Sequence, residues 1–339
     1  MSYQVTIQPS GHQFSVDHGQ TVLEAALDAG FALPYGCRNG ACGACKGKIL
    51  AGRVDYGEAQ EGTLTAEDRK QGLALFCCAV PLEDLVIEVR EITAVKDIPV
   101  KTLPCRVERL EKLCHDVMGI WLKLPSSERL QFLPGQYIDF LLKDGMRRSF
   151  SLANAPEEDA LLELHVRHVP GGFFTDHVFN RMKVKDIMRI RGPLGSFFLR
   201  ESDKPAIFVA GGTGFAPIKS ILSHAFHHRV DRQMVLYWGA RALRDLYLPD
   251  LPSRWQQEHD NFSFIPVIQA PLPEEHWTGR TGHVHEAVLA DFNDLSGYQA
   301  YVCGAPVMVA AARRDFLARG LPEEEFYSDA FDYQGGASV

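Results

Sequence analysis

Nowhere in this chain of 339 residues does an apolar run reach the length of a membrane span, because glycine, proline or charge interrupts each one first. A transmembrane helix needs about 18 or more consecutive apolar residues, so no membrane association is expected. Lysine and arginine are not concentrated into a net basic domain, which argues against a nucleic-acid partner. The 13 histidines show no metal-ligand spacing, and His227-His228 reads as a solvated helix end. Internal repeats, low-complexity tracts, paired acid–base groups and activated nucleophiles are all missing. The opening residues Met-Ser-Tyr-Gln-Val-Thr-Ile alternate like a strand and lack the basic and apolar regions of a secretion signal. A cytoplasmic location is the expectation, and disulfides are unfavoured there.

The composition that remains is globular, with 46% hydrophobic and 23% charged residues. The net charge of −8 is uneven: residues 1–90 carry 7 basic and 11 acidic side chains, residues 91–244 carry 23 and 17, and residues 245–339 carry 5 and 15. A solvated surface explains this pattern, and a mildly basic middle segment also suits anionic cofactors.

The most informative stretch is Cys37-Arg38-Asn39-Gly40-Ala41-Cys42-Gly43-Ala44-Cys45. Its C-x4-C-x2-C spacing, with one further cysteine far along the chain, is that of a plant-type 2Fe-2S centre. Gly40 and Gly43 let the loop turn tightly and expose amides to the sulfides. Structural zinc usually pairs its ligands as C-x2-C twice, and only one such pair is present. The fourth ligand lies in Cys77-Cys78. In an extended strand adjacent side chains point to opposite faces, so only one of the two serves.

Pattern divides the chain into three. In residues 1–92, Tyr3 to Ile7 and Gln13 to Val16 read as a hairpin, Lys46 to Leu50 as a strand and Leu85 to Val89 as a closing strand. Thr21 with Glu24 forms a capping box for a helix ending at Gly30, and Thr65 with Asp68 opens a short helix stopping at Gly72. Residues 93–104, with Pro99 and Pro104, read as a linker. Six short strands between 105 and 202 (Cys105 to Leu110, Gly119 to Leu124, Tyr137 to Leu142, Arg148 to Ala153, Leu161 to Val166, Ile187 to Gly192) indicate a barrel. Residues 203–339 alternate strands at Ala206 to Ala210, Met234 to Trp238, Phe264 to Ile268 and Ala300 to Cys303 with helices at Pro217 to Phe226, Val284 to Leu289 and Pro306 to Leu317. Buried parallel strands with covering helices account for this alternation.

These segments resemble, in order, the parts of the ferredoxin–FAD–NAD(P)H reductases. The first is similar to a β-grasp 2Fe-2S ferredoxin domain. Phe76-Cys77-Cys78-Ala79-Val80-Pro81-Leu82-Glu83-Asp84 resembles its C-x-A-x-P-x-x-D pattern, which selects Cys77 beside Cys37, Cys42 and Cys45. Cys78, Cys105 and Cys114 are then buried small side chains. The second resembles an antiparallel β-barrel FAD domain. Arg148-Ser149-Phe150-Ser151 matches R-x-[YF]-S, in which Arg148 clamps pyrophosphate, Phe150 packs on the flavin and Ser151 reaches its N5 edge. Pro134-Gly135-Gln136-Tyr137 precedes that motif, and Gly171-Gly172-Phe173-Phe174-Thr175 looks like the family's phosphate loop, with the Thr175 hydroxyl on the FAD pyrophosphate. His165 and Val166 are expected near FAD, and Gly192-Pro193-Leu194-Gly195-Ser196-Phe197 resembles the family's closing G-P-x-G-x-F. Taken singly, each motif reads better as a barrel turn or a salt-bridged arginine; their order carries the weight.

The third segment resembles the α/β parallel-sheet nicotinamide domain. Gly212-Thr213-Gly214 with Pro217 is similar to G-x-G-x-x-P, and it lacks the Gly-Lys-Ser/Thr ending of a nucleotide-hydrolysing loop. Gly239-Ala240-Arg241 with Asp245-Leu246 resembles G-x-R-x-x-x-D-L. Cys303-Gly304-Ala305-Pro306-Val307-Met308 resembles C-G-x-P-x-M and places Cys303, Gly304 and Met308 at the nicotinamide. Phe326 to Phe331 looks like the terminal segment, with Phe331 over the flavin face. Lys185-Asp186 departs from the usual Gly-Asp at one turn.

The resemblance implies an oxidoreductase that passes electrons from NADH, or NADPH, through FAD and the cluster to an acceptor protein. That acceptor is either a deoxysugar dehydrase, as for the CDP-6-deoxy-Δ3,4-glucoseen reductases that the Pro34 to Gly40 loop most resembles, or an oxygenase component. Gly239 stands where an acidic residue would hold a ribose hydroxyl, while Arg241 or Arg244 suits a 2′-phosphate; the resemblance favours NADH. Two other classes stay open: a redox-sensing or cluster-binding module without turnover, and a zinc-stabilised interaction protein.

Overall fold

The computed structural model describes residues 2–92 and 98–331, so part of the expected 93–104 linker lies outside the described residues. The described residues divide into two compact units, one of residues up to Pro99 together with 328–331, the other of Val100–Tyr327.

The first unit is built from β1 (Ser2–Gln8), β2 (Gln13–Asp17), α1 (Val22–Asp28), β3 (Lys46–Ala51), β4 (Val54–Asp55), α2 (Ala66–Lys70), β5 (Leu73–Leu75), β6 (Val80–Pro81) and β7 (Leu85–Glu88). A mixed sheet runs β2-β1-β7-β3-β5, with β1 and β7 parallel, and β4 pairs separately with β6. Val5, Ile7, Phe14, Val16 and Ile87 are buried, as alternation in a half-buried sheet requires, and α1 lies against β2 with Val22, Leu23, Ala25 and Ala26 inside. Both expected capping boxes form: Thr21 Oγ1 accepts from the Glu24 amide and Glu24 accepts from the Thr21 amide, each at 3.2 Å. Thr65 and Asp68 do the same at the start of α2.

The second unit holds two sheets. Its barrel comprises β8 (Lys101–Lys112), β9 (Val117–Lys123), β10 (Tyr137–Leu141), β11 (Arg147–Ser151), β12 (Leu162–Arg167), α3 (Phe173–Asn180) and β13 (Ile187–Leu194). The order is β11-β10-β13-β8-β9-β12, and a bridge between Leu152 and Leu164 brings the two end strands together. Val107, Ile120, Leu122, Ile138, Phe140 and Leu164 fill the interior, with Phe174 of α3 packed on Phe140. The linker expectation is corrected at its end: β8 begins at Lys101, and Lys101 to Pro104 pair with β13. Pro104 lacks an amide donor, which hid this strand in the sequence.

The α/β part continues with β14 (Ala206–Gly211), α4 (Phe215–His227), β15 (Met234–Ala240), α5 (Asp250–Glu258), β16 (Phe262–Ile268), β17 (Arg280–Thr281), α6 (Val284–Asp291), β18 (Gln299–Gly304), α7 (Pro306–Ala318) and β19 (Phe326–Ala330). Its sheet includes the order β17-β16-β15-β14-β18, and β14 is parallel to both β15 and β18. The order reverses between β14 and β18, so their carboxyl ends open a crevice where ligands bind in sheets of this type.

Candidate functional site

The cysteine loop follows α1 directly. Gly40 and Gly43 have φ of +78° and +77°, backbone regions closed to most side chains, and even Arg38 sits at +62°. That winding turns amides towards sulfur: the Cys42 amide donates to Cys37 Sγ at 3.3 Å and the Ala44 amide to Cys42 Sγ at 3.4 Å. The Cys42 thiol, aided by the amides of Asn39, Ala41 and Cys42 against burial, draws Cys37 down to about 6. Cys42 is pushed well up by the neighbouring Cys37 and by burial, and Cys77 is pushed up chiefly by Cys45. Crowded thiols of this kind cannot all ionise unless cations neutralise them. Four converging sulfurs with amides aimed at them are a donor set that iron fits.

The two-face argument for Cys77 and Cys78 fails. Phe76 to Cys78 is a turn in which the amides of Cys78 and Ala79 both donate to Leu75 O, and the two Sγ atoms lie 3.6 Å apart. Cys78 is half-buried rather than a core residue, and a Cβ on Gly40 would stand 2.9 Å from its sulfur. Cys45 is the neighbour that acts most strongly on the Cys77 thiol, whereas Cys77 is the one that acts most strongly on Cys78. Within the same unit the Ser328 hydroxyl donates to Cys42 O at 3.1 Å, and burial, with Cys37 nearby, pushes Asp329 up to about 7. Phe331 also falls in this first unit.

In the barrel, Arg148, Phe150 and Ser151 lie on β11 opposite Phe140, Ile138 and Tyr137 of β10. Phe150 is half-buried with its ring 5.3 Å from Phe174, and Ser151 is buried at the strand end. Gly171 and Gly172 precede α3, whose first turn has no side-chain cap, so backbone amides there are available to an anion. Thr175 is corrected: its hydroxyl lies 3.0 Å from Val169 O and 3.3 Å from Gly172 O and accepts from the Val169 amide, so it holds the loop in shape. Val166 faces the barrel interior. Both ring nitrogens of His165 are engaged within the protein. Glu163 Oε1 lies 2.8 Å from Nε2 and the Tyr247 hydroxyl 3.0 Å from Nδ1. A carboxylate only accepts, so Nε2 carries the proton and Nδ1 accepts from Tyr247.

At the carboxyl ends of β14 and β18, Ala210 pairs with Cys303, and Gly212 to Gly214 wind directly into α4. A Cβ on Gly214 would stand 2.1 Å from Cys303 O, so only glycine lets the two turns touch. Met308 Sδ would lie 2.6 Å from a Cβ on Gly211. Thr213, Pro217 and Cys303 are buried here, beside Gly304. Arg241, after β15, is exposed and lies 3.7 Å from Asp116 and 3.5 Å from Asp245.

Comparison with known proteins matches residues 5–82 to the 2Fe-2S iron-sulfur cluster binding domain, 104–199 to the oxidoreductase FAD-binding domain and 208–314 to the oxidoreductase NAD-binding domain. The CDP-6-deoxy-L-threo-D-glycero-4-hexulose-3-dehydrase reductase of Yersinia pestis is 41% identical over 331 residues, 98% of this chain and 99% of that protein. The chain belongs to the ferredoxin–FAD–NAD(P)H reductases. The phenol hydroxylase P5 protein of Acinetobacter pittii is 39% identical over 337 residues, 98% and 95% of the two chains. The crystal structure of the Amycolatopsis cytochrome P450 reductase GcoB superposes with a TM-score of 0.76 at 34% identity, covering 97% and 98%. The reductase therefore carries electrons from NAD(P)H through FAD and a 2Fe-2S cluster to a protein partner. Among its described residues no helix is long and apolar enough to cross a membrane.

Three features of the reductase escaped the sequence. Arg167, at the end of β12, lies against the nicotinamide loop: its Nη1 would be 2.7 Å from a Cβ on Gly212, and its Nε is 3.3 Å from Asp116. Trp238 Nε1 donates to Gly212 O at 2.9 Å while Phe215 stacks on the indole at 3.9 Å, fixing the loop from beneath. Lys219 of α4 donates to Ala153 O at 3.0 Å and to Glu163 at 2.9 Å, tying the nicotinamide part to the barrel. The partners in each of these contacts are far apart in sequence. His227 and His228 are exposed at the end of α4, as the sequence indicates, and His224 and His228, one helical turn apart, both contact Glu157.

Proposed function

We propose that the reductase serves a dehydrase acting on a CDP-linked 6-deoxy-4-hexulose. Cys37, Cys42, Cys45 and Cys77 ligate the cluster. Arg148 and the open amides of the first turn of α3, shaped by Gly171 and Gly172, would hold the FAD pyrophosphate, Phe150 would pack on the flavin, and Ser151 would sit at its N5 edge. Gly212, Thr213, Gly214 and Pro217 receive the coenzyme phosphates, with Cys303, Gly304 and Met308 flanking the nicotinamide. When bound, FAD accepts a hydride from the coenzyme and the cluster passes electrons on singly. The chain's own part is positioning. The buried Cys303 and the close Gly214 turn exclude water beside the reacting ring, the amides at Cys37 and Cys42 favour added charge on sulfur, and no side chain needs to move a proton.

The observation that carries the pathway is similarity to the Yersinia dehydrase reductase along nearly the whole of both chains. An oxygenase partner is the second reading, favoured by the nearly equal identity to the phenol hydroxylase P5 protein. For the coenzyme we favour NADH, because Asp116 and Asp245 already accompany the Arg241 guanidinium that a 2′-phosphate would need. The test is anaerobic reconstitution with purified dehydrase, its nucleotide-sugar substrate and NADH. Coupled NADH consumption and deoxygenated product are expected. Turnover only with an oxygenase component and oxygen would reassign the partner, and a higher kcat/KM for NADPH would reassign the coenzyme.

A further inference from the structure

We propose that Glu157, His224 and His228 form a site for a divalent transition ion of the zinc class, joining the FAD barrel to the first nicotinamide helix. The two histidines lie one turn apart at the carboxyl end of α4, His224 within the helix and His228 capping it. Residues four apart on a helix share a face, which brings both imidazoles to one side. Their ring centroids are 4.3 Å apart. The third side chain comes from 67 residues earlier in the sequence, in the short turn Pro156–Glu158 that follows β11. Glu157 Oε1 is 2.7 Å from His224 Nδ1 and 2.9 Å from His228 Nε2, and one ligand atom from each residue lies within 4.8 Å of the others.

Neither side of this cluster is free to drift. Asn154, buried, brackets the Glu157 turn by donating to Ala155 O and Glu158 O at 3.2 and 3.1 Å. The fully buried Ser220 hydroxyl, one helical turn before His224, donates to Asn154 O at 2.7 Å. The carboxylate and the imidazoles are thus presented from two elements that buried hydrogen bonds already fasten together.

Two imidazoles and one carboxylate are the donor set of a borderline ion such as Zn²⁺, whereas Mg²⁺ and Ca²⁺ prefer all-oxygen shells. His228 is exposed and His224 half-buried, so an ion can enter and keep water in its remaining positions. On binding, the proton that each contacting nitrogen shares with Glu157 moves to the other ring nitrogen or leaves to solvent. The ion then replaces two hydrogen bonds by three coordinate bonds that bridge barrel and helix.

The test titrates the holoenzyme, cluster and FAD in place, with ZnCl₂. Calorimetry should show one tight site, and the zinc K-edge spectrum a nitrogen and oxygen shell with imidazole outer scattering. At a hundredfold excess over Kd the unfolding transition should rise by about 5–10 °C. His224→Ala and His228→Ala should each weaken binding by about a hundredfold, and Glu157→Gln by about tenfold. These residues lie at the surface end of a helix and turn, and the unliganded Tm of each variant checks that folding is intact. Absence of micromolar binding, binding unchanged in both histidine variants, or a sulfur shell pointing to cysteine capture would each overturn the proposal.

Discussion

Glu163→Gln is the substitution whose consequences the structure fixes most closely. Glu163 sits on β12 with its side chain 12% exposed, accepting from His165 Nε2 at 2.8 Å and from Lys219 Nζ at 2.9 Å. Burial opposes its charge, but His165 and Lys219 overcome that and draw it from the usual 4.5 to about 2. At 1.36 kcal/mol per pH unit that difference is worth roughly 3 kcal/mol, an order-of-magnitude figure for so coupled a group. Removing one partner of a buried ion pair costs about 3–5 kcal/mol, because the remaining ammonium is left uncompensated. Glutamine still accepts one hydrogen bond, so the lower end applies. For a unit of this size about 3 kcal/mol corresponds to a fall of about 6–12 °C in Tm. The sign with pH is fixed as well. A carboxyl whose folded-state pKa is depressed stabilises fully above its unfolded value, near 4.5, and loses that stability as pH falls towards 2. Burial also holds His165 below the usual 6.5, so the unfolded chain gains a proton that the folded state refuses, adding to acid sensitivity below that pH. Differential scanning calorimetry of the FAD-loaded protein at pH 7, 5 and 3 is the assay. Wild type should lose stability steeply between pH 5 and 3; the variant should start lower and lose less over that interval. Equal Tm values at pH 7, or an unchanged slope between pH 5 and 3, would refute the reasoning.

Cys77→Ser should abolish the visible cluster absorption and iron content while leaving FAD bound, and Cys78→Ser should leave the cluster spectrum intact; the reverse pattern, read by iron analysis, would exchange the two ligands. Gly214→Ala places a methyl about 2.1 Å from Cys303 O, so it should cost about 1–3 kcal/mol and raise KM for NADH while reduction of the cluster by dithionite is unaffected. Lys185, at φ +78°, occupies a left-handed position; Lys185→Gly should raise stability by up to about 1 kcal/mol once glycine's greater unfolded-state freedom is subtracted, seen as a rise of up to about 4 °C in Tm with catalytic rates unchanged.

Much of the fold was legible because local chemistry dictated it. Thr21 with Glu24, and Thr65 with Asp68, start helices wherever they occur ahead of suitable residues, and both did so. Barrel strands alternate and parallel strands run apolar because each follows from which faces are buried. The failures share one cause. Lys101 to Pro104 looked like linker because pairing with β13, not local propensity, makes it a strand. Cys77 and Cys78 were assigned opposite faces on the assumption of extended backbone, whereas a turn on Leu75 O brings their sulfurs together.

The sequence by itself determined the cofactors. Cysteine spacing, the Arg148 to Ser151 strand and the glycine-rich turn before Phe215 each state their chemistry within a few residues, because a cluster or phosphate is held by groups close along one loop. Tertiary structure alone decided how those loops are held. Arg167 at Gly212, Trp238 beneath it, the Lys219–Glu163–His165–Tyr247 chain and the Glu157–His224–His228 triad each include a contact between residues 26 to 82 positions apart, or join a barrel strand to a loop of the neighbouring domain. Such contacts depend on which strands become neighbours in the closed barrel and the parallel sheet, and no local pattern of residues encodes that adjacency.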